Sequence, residues 1–153
     1  MDIRVSRPDE AERLLAIWRA AVDATHDFLS PEDRVAIDRE TEAYLLSASP
    51  WVAVDADDRP VGFLCLAGAH LDSLFIHPLR RGAGVGRQLV NFAASMHPAL
   101  TTEVNAQNAQ ALGFYRRMGF VETGRTSLDD QGRPYPLIRM RLDARRGALR
   151  KRA

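Results

Sequence analysis

Cysteine and lysine are nearly missing from this chain: Cys65 and Lys151 are the only ones among 153 residues. One thiol excludes an internal disulfide. With four scattered histidines it also leaves no Cys/His pattern of zinc-site spacing, and no metal is expected. Cys65 sits inside the apolar run from Val61 to Ala67, where a packed, inert thiol is expected rather than a nucleophile. No apolar run approaches bilayer-spanning length, and Met1-Asp2-Ile3-Arg4-Val5 lacks the basic-then-apolar pattern of a secretory signal. A soluble, cytoplasmic protein without a membrane partner is therefore expected. No G-x-S-x-G elbow occurs, so a serine nucleophile of that type has no support. Internal repeats, low-complexity tracts and interdomain linkers are lacking too.

What is present is the composition of a soluble globular protein, 46% hydrophobic and 27% charged. One domain over residues 1–143 is expected, long enough for a sizeable core, followed by a basic tail at 144–153. The net charge of +1 hides an asymmetry. Arg145, Arg146, Arg150, Lys151 and Arg152 stand apart, and the residues before them carry 16 basic and 20 acidic groups. A basic tail on an acidic body suits either a nucleic-acid contact or a solvated terminus. Without a groove-reading motif the solvated terminus is expected, and no nucleic-acid partner.

The most informative stretch runs from Leu74 to Arg87. Leu74-Phe75-Ile76 is an apolar strand run, stopped by Pro78. His77, next to that proline, is expected to be structural or exposed. Gly82, Gly84 and Gly86 then occupy alternate positions. After them Val85, Leu89, Phe92, Ala93 and Met96 recur at helical spacing, so a helix opens near Gly84. A helix start presents unpaired backbone N–H groups and the positive end of its dipole. Glycines let an anion approach that backbone closely, and Arg80, Arg81 and Arg87 add forked donors suited to phosphate oxygens. The pattern predicts a turn that holds a pyrophosphate; a glycine-rich turn with no ligand is the competing reading. A Walker loop is excluded because no lysine follows the glycines, and a Rossmann fingerprint because the spacing differs.

Around that stretch the elements alternate. Ile3 and Val5 predict a short strand. Pro8-Asp9-Glu10 opens a helix whose apolar stripe is Leu14, Ile17, Trp18, Ala21, Val22 and Thr25, with Trp18 in the core. Ser30-Pro31-Glu32-Asp33 caps a second helix, running to about Leu46. Between the two lie His26, Asp27 and Phe28, which either line an acceptor pocket or form a plug and a local cap. Trp51 to Val54 and Val61 to Ala67 form a hairpin, and the next strand begins near His70. Leu100 to Asn105 is another strand; with the glycine-turn helix before it, this makes a βαβ unit and a parallel pair. Asn105 or Asn108 caps a helix bearing Ala111, Leu112, Tyr115 and Met118, stopped by Gly119. A last hairpin runs from Phe120 through the Asp129–Gly132 turn to Leu142. The expected class is α/β or α+β, a sheet covered by helices.

Three ordered blocks carry a resemblance. Arg81-Gly82-Ala83-Gly84-Val85-Gly86 is similar to the Arg/Gln-x-x-Gly-x-Gly/Ala coenzyme A signature of the GNAT N-acetyltransferase family. Thr102-Glu103-Val104-Asn105 with Asn108 follows, and then Ala111-x-x-Phe114-Tyr115-Arg116-Arg117-Met118-Gly119-Phe120 resembles the family's A-x-x-F-Y-x-x-x-G-F helix. The likeness covers about residues 3–142. It implies the GNAT fold: a mixed, mostly antiparallel sheet with a central parallel strand pair that splays apart, flanked by about four helices. It also implies acetyl-CoA as cosubstrate and no metal. The turn from Arg81 to Arg87 would hold the pyrophosphate. The strand edge at Leu74, Phe75 and Ile76 would pair with the pantetheine arm through backbone groups. Asn105 or Asn108 would bond pantetheine amides, and simple capping is compatible with either.

The implied reaction is direct acetyl transfer to a primary amine of a small molecule or peptide. A protonated amine has no lone pair, so a base must take a proton and an acid should supply one to the departing thiolate. A backbone N–H of the coenzyme strand would support the oxyanion. By the resemblance Tyr115 is the acid, pointing at the coenzyme sulfur; otherwise it is part of its helix's buried stripe. Many family members place a glutamate base on the coenzyme strand. Here that strand offers His70 and Asp72, and the next offers Glu103, so three candidates stay open. Histidine titrates nearest neutrality. His26, Phe28 and Tyr135 are the acceptor-side candidates, with Tyr135 between two prolines that equally suit a plain rigid loop. The alternative function is a non-catalytic acyl-CoA sensor on the same fold. A monomer or a homodimer fits, and no lysine before Lys151 is available for self-acetylation.

Overall fold

The computed structural model describes residues 1–143; the basic tail at 144–153 lies outside them. Seven strands and four helices follow the expected order. The strands are β1 (Asp2–Val5), β2 (Trp51–Val54), β3 (Pro60–Ala67), β4 (His70–Ile76), β5 (Ala99–Asn105), β6 (Val121–Thr126) and β7 (Leu137–Asp143). The helices are α1 (Ala11–Thr25), α2 (Pro31–Ser47), α3 (Val85–Met96) and α4 (Ala109–Met118). The sheet order is β1-β2-β3-β4-β5-β7-β6. The β4–β5 pair is parallel, with His70 opposite Thr101 and Leu71 opposite Thr102. The β1–β2, β2–β3, β5–β7 and β6–β7 pairs are antiparallel. This is the mixed, mostly antiparallel sheet with one parallel pair that the sequence predicts.

The chain divides into two compact units. The first comprises Met1–Leu66 with Ser73–Leu89. Its core is built on α1, whose Leu14, Leu15, Ile17, Trp18 and Val22 are buried against Leu45, Val52, Val54, Phe63 and Cys65. Trp18 and Cys65 are thus core residues, as expected. Pro8–Glu10 forms a short 3-10 turn before α1, where Glu10 accepts from the Arg7 N–H at 2.7 Å and pairs with Arg4 at 2.8 Å. Ser30 caps α2 by accepting from the Asp33 N–H at 3.1 Å. Only Leu45 of α2 is buried. So polar a helix needs other support, and ion pairs supply it. Asp38 takes Arg19 at 2.8 and 2.9 Å and Arg34 at 2.9 Å. Arg34 also bonds Asp23 at 2.9 Å and lies over the Trp18 ring at 4.9 Å.

Among the described residues, the second unit comprises Ala67–Asp72 with 90–143. Strand β5 pairs along its whole length with β7, from Ala99 opposite Asp143 to Asn105 opposite Leu137. The alternation is strict on both strands. Leu100, Thr102 and Val104 are buried with Ile138, Met140 and Leu142, while Thr101, Arg139 and Arg141 on the opposite parity are exposed. Helix α4 is capped by Asn108, which accepts from the Ala111 N–H at 3.1 Å, and ends at Gly119 with φ 103°. Strand β6 carries a bulge between Glu122 and Gly124. Met96, expected on the apolar stripe of α3, is instead 42% exposed in the helix's last turn, where the stripe has run out.

Candidate active site

In the first unit, the 3-10 turn Pro78–Arg80 leads into the glycine turn. His77 caps it: its Nδ1 accepts from the Leu79 N–H at 3.2 Å, and its own N–H donates to the Val61 carbonyl at 2.9 Å. Burial, with the positive charge of Arg13 and Arg80, holds the imidazole below its usual range. His77 is therefore a neutral structural residue. Gly82 and Gly84 have φ of 78° and 81°, the left-handed region that other residues enter at a cost. A Cβ built at either would meet nothing within 4 Å. The glycines are thus required by backbone conformation alone, and the space beside the turn is open. The first bond of α3 runs from the Gln88 N–H to the Gly84 carbonyl at 3.0 Å, so the preceding N–H groups have no helical partner. Arg81 and Arg87 are exposed. Arg80 lies 3.5 Å from Asp55. No acidic residue occurs between Asp72 and Glu103 in the sequence, and the helix start itself presents the positive end of its dipole.

Strand β4 feeds that turn. Phe75 directs its side chain into the first unit's core, 5.7 Å from the Phe63 ring and 6.5 Å from Trp18. What Phe75 can offer a ligand is its backbone. Gly62 on β3 makes this packing possible. A Cβ there would stand 2.7 Å from the Ile76 Cδ1 and 3.2 Å from both the Phe75 carbonyl oxygen and the Val85 Cγ1. Sequence reasoning missed Gly62, although a glycine inside a strand pattern signals close approach.

In the second unit, the candidate base and acid residues separate by face. His70 pairs with Thr101, and its Nδ1 lies 2.7 Å from the Thr101 hydroxyl. Its Nε2 is 3.8 Å from Asp72, two residues along the same strand. Glu103 follows Thr101 at the same parity and meets Arg139, its cross-strand neighbour, at 3.7 Å. All three base candidates therefore share one face of the β4–β5–β7 segment. Tyr115 is on the other. It is 7% exposed and packed edge-on against Phe114 and Phe120 at 5.2 and 5.1 Å. Burial pushes its phenol up to about 12, and the Thr102 hydroxyl opposes that rise. At neutral pH the phenol is fully protonated and able to donate. Thr102 was missed in the sequence; its signal is a polar residue at the buried parity between Leu100 and Val104.

Both asparagines serve local caps. Asn105 accepts from the Gln107 N–H at 2.8 Å and Asn108 opens α4, which leaves their side-chain amide N–H groups as donors. The acceptor-side candidates fall in both units. His26 ends α1, with its ring 5.2 Å from that of Phe28. Thr25 gives its hydroxyl proton to the Ala21 carbonyl at 2.8 Å, so it accepts from the His26 Nδ1 at 2.7 Å, and Nε2 carries the lone pair. Burial holds this imidazole below its usual range, against the opposing charge of Asp27. Tyr135, in the second unit, is buried. Among the described residues no three His, Cys, Asp or Glu side chains are grouped to hold a metal ion, and no helix is long and apolar enough to cross a membrane.

With a parallel β4–β5 pair, a glycine turn opening α3 and a tyrosine held under β5, the architecture is that of an acyltransferase fold. Residues 21–143 match the acetyltransferase (GNAT) domain, and the chain belongs to this family of N-acetyltransferases. It is 54% identical over 140 residues to peptidyl-lysine N-acetyltransferase YjaB of Escherichia coli strain K12, covering 92% of this chain and 95% of that protein. It is 52% identical to the YjaB of Salmonella typhimurium strain LT2, with 92% and 97% covered. The solution structure of apo YjaB from Escherichia coli superimposes with a TM-score of 0.88 over 92% of this chain and 95% of that one. The family expected from three ordered sequence blocks is the family found.

Proposed function

We propose that this enzyme transfers the acetyl group of acetyl-CoA to the side-chain amine of lysine in a peptide or protein. The observation that carries the acceptor class is the 54% identity, over nearly the whole length, to a peptidyl-lysine N-acetyltransferase. In this reading the turn from Arg81 to Arg87 takes the pyrophosphate on its backbone N–H groups and its two free-standing arginines. The β4 backbone at Leu74, Phe75 and Ile76 pairs with the pantetheine amides. The side-chain N–H groups of Asn105 and Asn108 remain available to the same arm.

A lysine side chain arrives as an ammonium. His70 Nε2 takes its proton, with Nδ1 held by Thr101 and the Asp72 carboxylate 3.8 Å from Nε2. Glu103 is the weaker base candidate because Arg139 already supplies its counter-charge. The free amine attacks the thioester carbon, a C–N bond forms, the C–S bond breaks, and the nitrogen sheds its second proton to solvent as the amide forms. Tyr115 gives its phenolic proton to the departing sulfur.

The test is calorimetric titration with acetyl-CoA, followed by thiol release in the presence of an Nα-blocked lysine peptide. Saturable one-site binding and an Nε-acetylated product by mass spectrometry are expected. Absence of binding at millimolar acetyl-CoA overturns the coenzyme reading. Binding without turnover on lysine peptides, peptide N-termini or polyamines would make the protein an acyl-CoA sensor instead.

A further inference from the structure

His70 and Asp72 stand two residues apart on β4 and so share one face of the strand. Both reach solvent, with side chains 35% and 38% exposed. The His70 Nδ1 lies 2.7 Å from the hydroxyl of Thr101, its partner on β5, and this contact orients the ring. With the hydroxyl accepting from Nδ1, Nε2 keeps its lone pair. Nε2 is 3.8 Å from the Asp72 Oδ1, too long for a hydrogen bond between them. Asp72 also differs from the other carboxylate of this face. Glu103 has the Arg139 guanidinium at 3.7 Å, whereas Asp72 has no arginine partner among the described residues. Two acceptors, one of them charged, thus stand side by side at a separation that a single donor nitrogen spans.

We propose that Asp72 is the specificity residue that receives the acceptor's ammonium group, with His70 Nε2 as the second hydrogen-bond partner of the same nitrogen. The proposal rests on the reading of a lysine acceptor and deepens it. A nitrogen about 2.9 Å from both acceptors makes two bonds that meet at about 80°, and on a tetrahedral ammonium each N–H···acceptor angle then stays above about 150°. The geometry suits an ammonium, which has three donors and no acceptor. It does not suit an uncharged side chain of the same length, which leaves the carboxylate unanswered. Hydrogen bonds between ionised partners are about twice as strong as neutral ones, so the charge on Asp72 sets the preference. The two roles divide between neighbours: Asp72 holds the ammonium, and His70 takes the proton already directed at it. The partial exposure of the pair admits a long side chain from a bound peptide, and it leaves the attraction open to screening by salt.

The experiment compares an Nα-blocked lysine peptide with the same peptide carrying norleucine in place of lysine. Affinities are read by fluorescence anisotropy in the presence of coenzyme A, which allows binding without turnover, and steady-state rates are read with acetyl-CoA. The wild-type protein should bind the lysine peptide at least about tenfold more tightly than the norleucine peptide, the worth of a hydrogen bond to a charged group. Asp72→Asn, nearly isosteric, should lose most of that preference. It should raise KM for the lysine peptide by about tenfold, with kcat falling by less than KM rises and KM for acetyl-CoA within about twofold of wild type. Asp72→Glu restores the charge on a longer stem and should recover part of the loss. His70→Gln should act the other way, lowering kcat more than it raises KM for the peptide. A full lysine preference in Asp72→Asn overturns the proposal. An equal loss of affinity for both peptides marks a merely structural role and overturns it as well. Acetyl-CoA binding by the wild type without turnover on any lysine peptide removes the acceptor reading and this inference with it, whereas lysine turnover indifferent to Asp72→Asn removes the inference alone. If Asp72→Asn fails to fold by thermal melt, salt decides the matter on the wild type. The lysine preference should shrink as ionic strength rises, and a preference unmoved by salt overturns the proposal.

Discussion

The glycine turn and the Tyr115 pocket are built on opposite principles. The turn is exposed and works with backbone: Gly82 and Gly84 adopt left-handed geometry, an added Cβ would touch nothing of the chain, and the charge comes from a helix start and solvent-facing arginines. The Tyr115 pocket is buried and works with side chains: a phenol, a threonine hydroxyl and two aromatic edges within one core. Open backbone geometry suits an anionic group shared by many ligands. A closed, largely apolar surround suits one proton at one place. A substitution in the turn should therefore fail at binding and leave the fold intact, whereas one in the pocket should fail at the chemical step.

The largest expected effect breaks this contrast most directly. Gly84→Glu puts a carboxylate into the open space beside the turn and should weaken acetyl-CoA binding by at least about a hundredfold, since like charge in a binding site costs several kcal/mol. Its melting temperature should fall only by the modest cost of a left-handed non-glycine residue, about 1–2 kcal/mol. Tyr115→Phe should do the reverse, with binding nearly intact and kcat down by at least about tenfold. Calorimetry and steady-state rates on both variants check the pair. If Gly84→Glu binds acetyl-CoA normally, the open space is not where the anion sits.

Gly62 gives a smaller effect and a sharper one, because it supports the turn from behind. The Ile76 side chain can swing away from an added methyl, but the Phe75 carbonyl at 3.2 Å is backbone. Gly62→Ala should cost about 1–2 kcal/mol of stability by overpacking. For a chain of this size that is a Tm loss of about 3 °C per kcal/mol. It should also weaken acetyl-CoA binding, since β4 and Val85 border the glycine turn proposed to hold the coenzyme. Unchanged binding in a destabilised Gly62→Ala would show that the turn keeps its geometry independently of β3.

The two regions were unequally legible in the sequence for the same reason. Left-handed turns need glycine, so Gly82 and Gly84 are written in the composition, and the helix that follows shows in the spacing of Val85, Leu89 and Ala93. The parallel β4–β5 pair followed from strand, helix and strand in order, and the caps from Ser30, Asn108 and Gly119. Tyr115 was legible as a motif position, and the burial of Thr102 on the strand before it was not. Thr102 reads as an ordinary strand former until the parity of β5 is fixed by its pairing with β7. The separation of His70, Asp72 and Glu103 from Tyr115 was likewise hidden, because which parity faces α4 depends on tertiary packing. The ion pairs of α2 had no sequence signature either: Arg34 and Asp38 are neighbours by helical spacing, but Arg19 and Asp23 reach them only when α1 packs alongside.

Those ion pairs give the smallest effect and contrast with both sites, since they support structure rather than chemistry. The Arg19 guanidinium, joined by Arg34 and opposed by partial burial, holds the Asp38 carboxyl down at about 2. A carboxyl whose folded value is depressed stabilises above its ordinary titration range and loses that contribution as pH falls through the folded value. The window is therefore from about pH 4 down to about pH 2, with stability lost on acidification. Because Arg19 is largely solvent-exposed, screening limits the contribution to about 1 kcal/mol, smaller in high salt. Asp38→Asn should remove that increment at pH 7 and flatten the dependence of Tm on pH below 4, while acetyl-CoA binding and kcat stay as they were. A variant that loses kcat at full coenzyme affinity would instead tie the packing of α1 against α2 to acceptor recognition, through the His26–Phe28 segment that joins them.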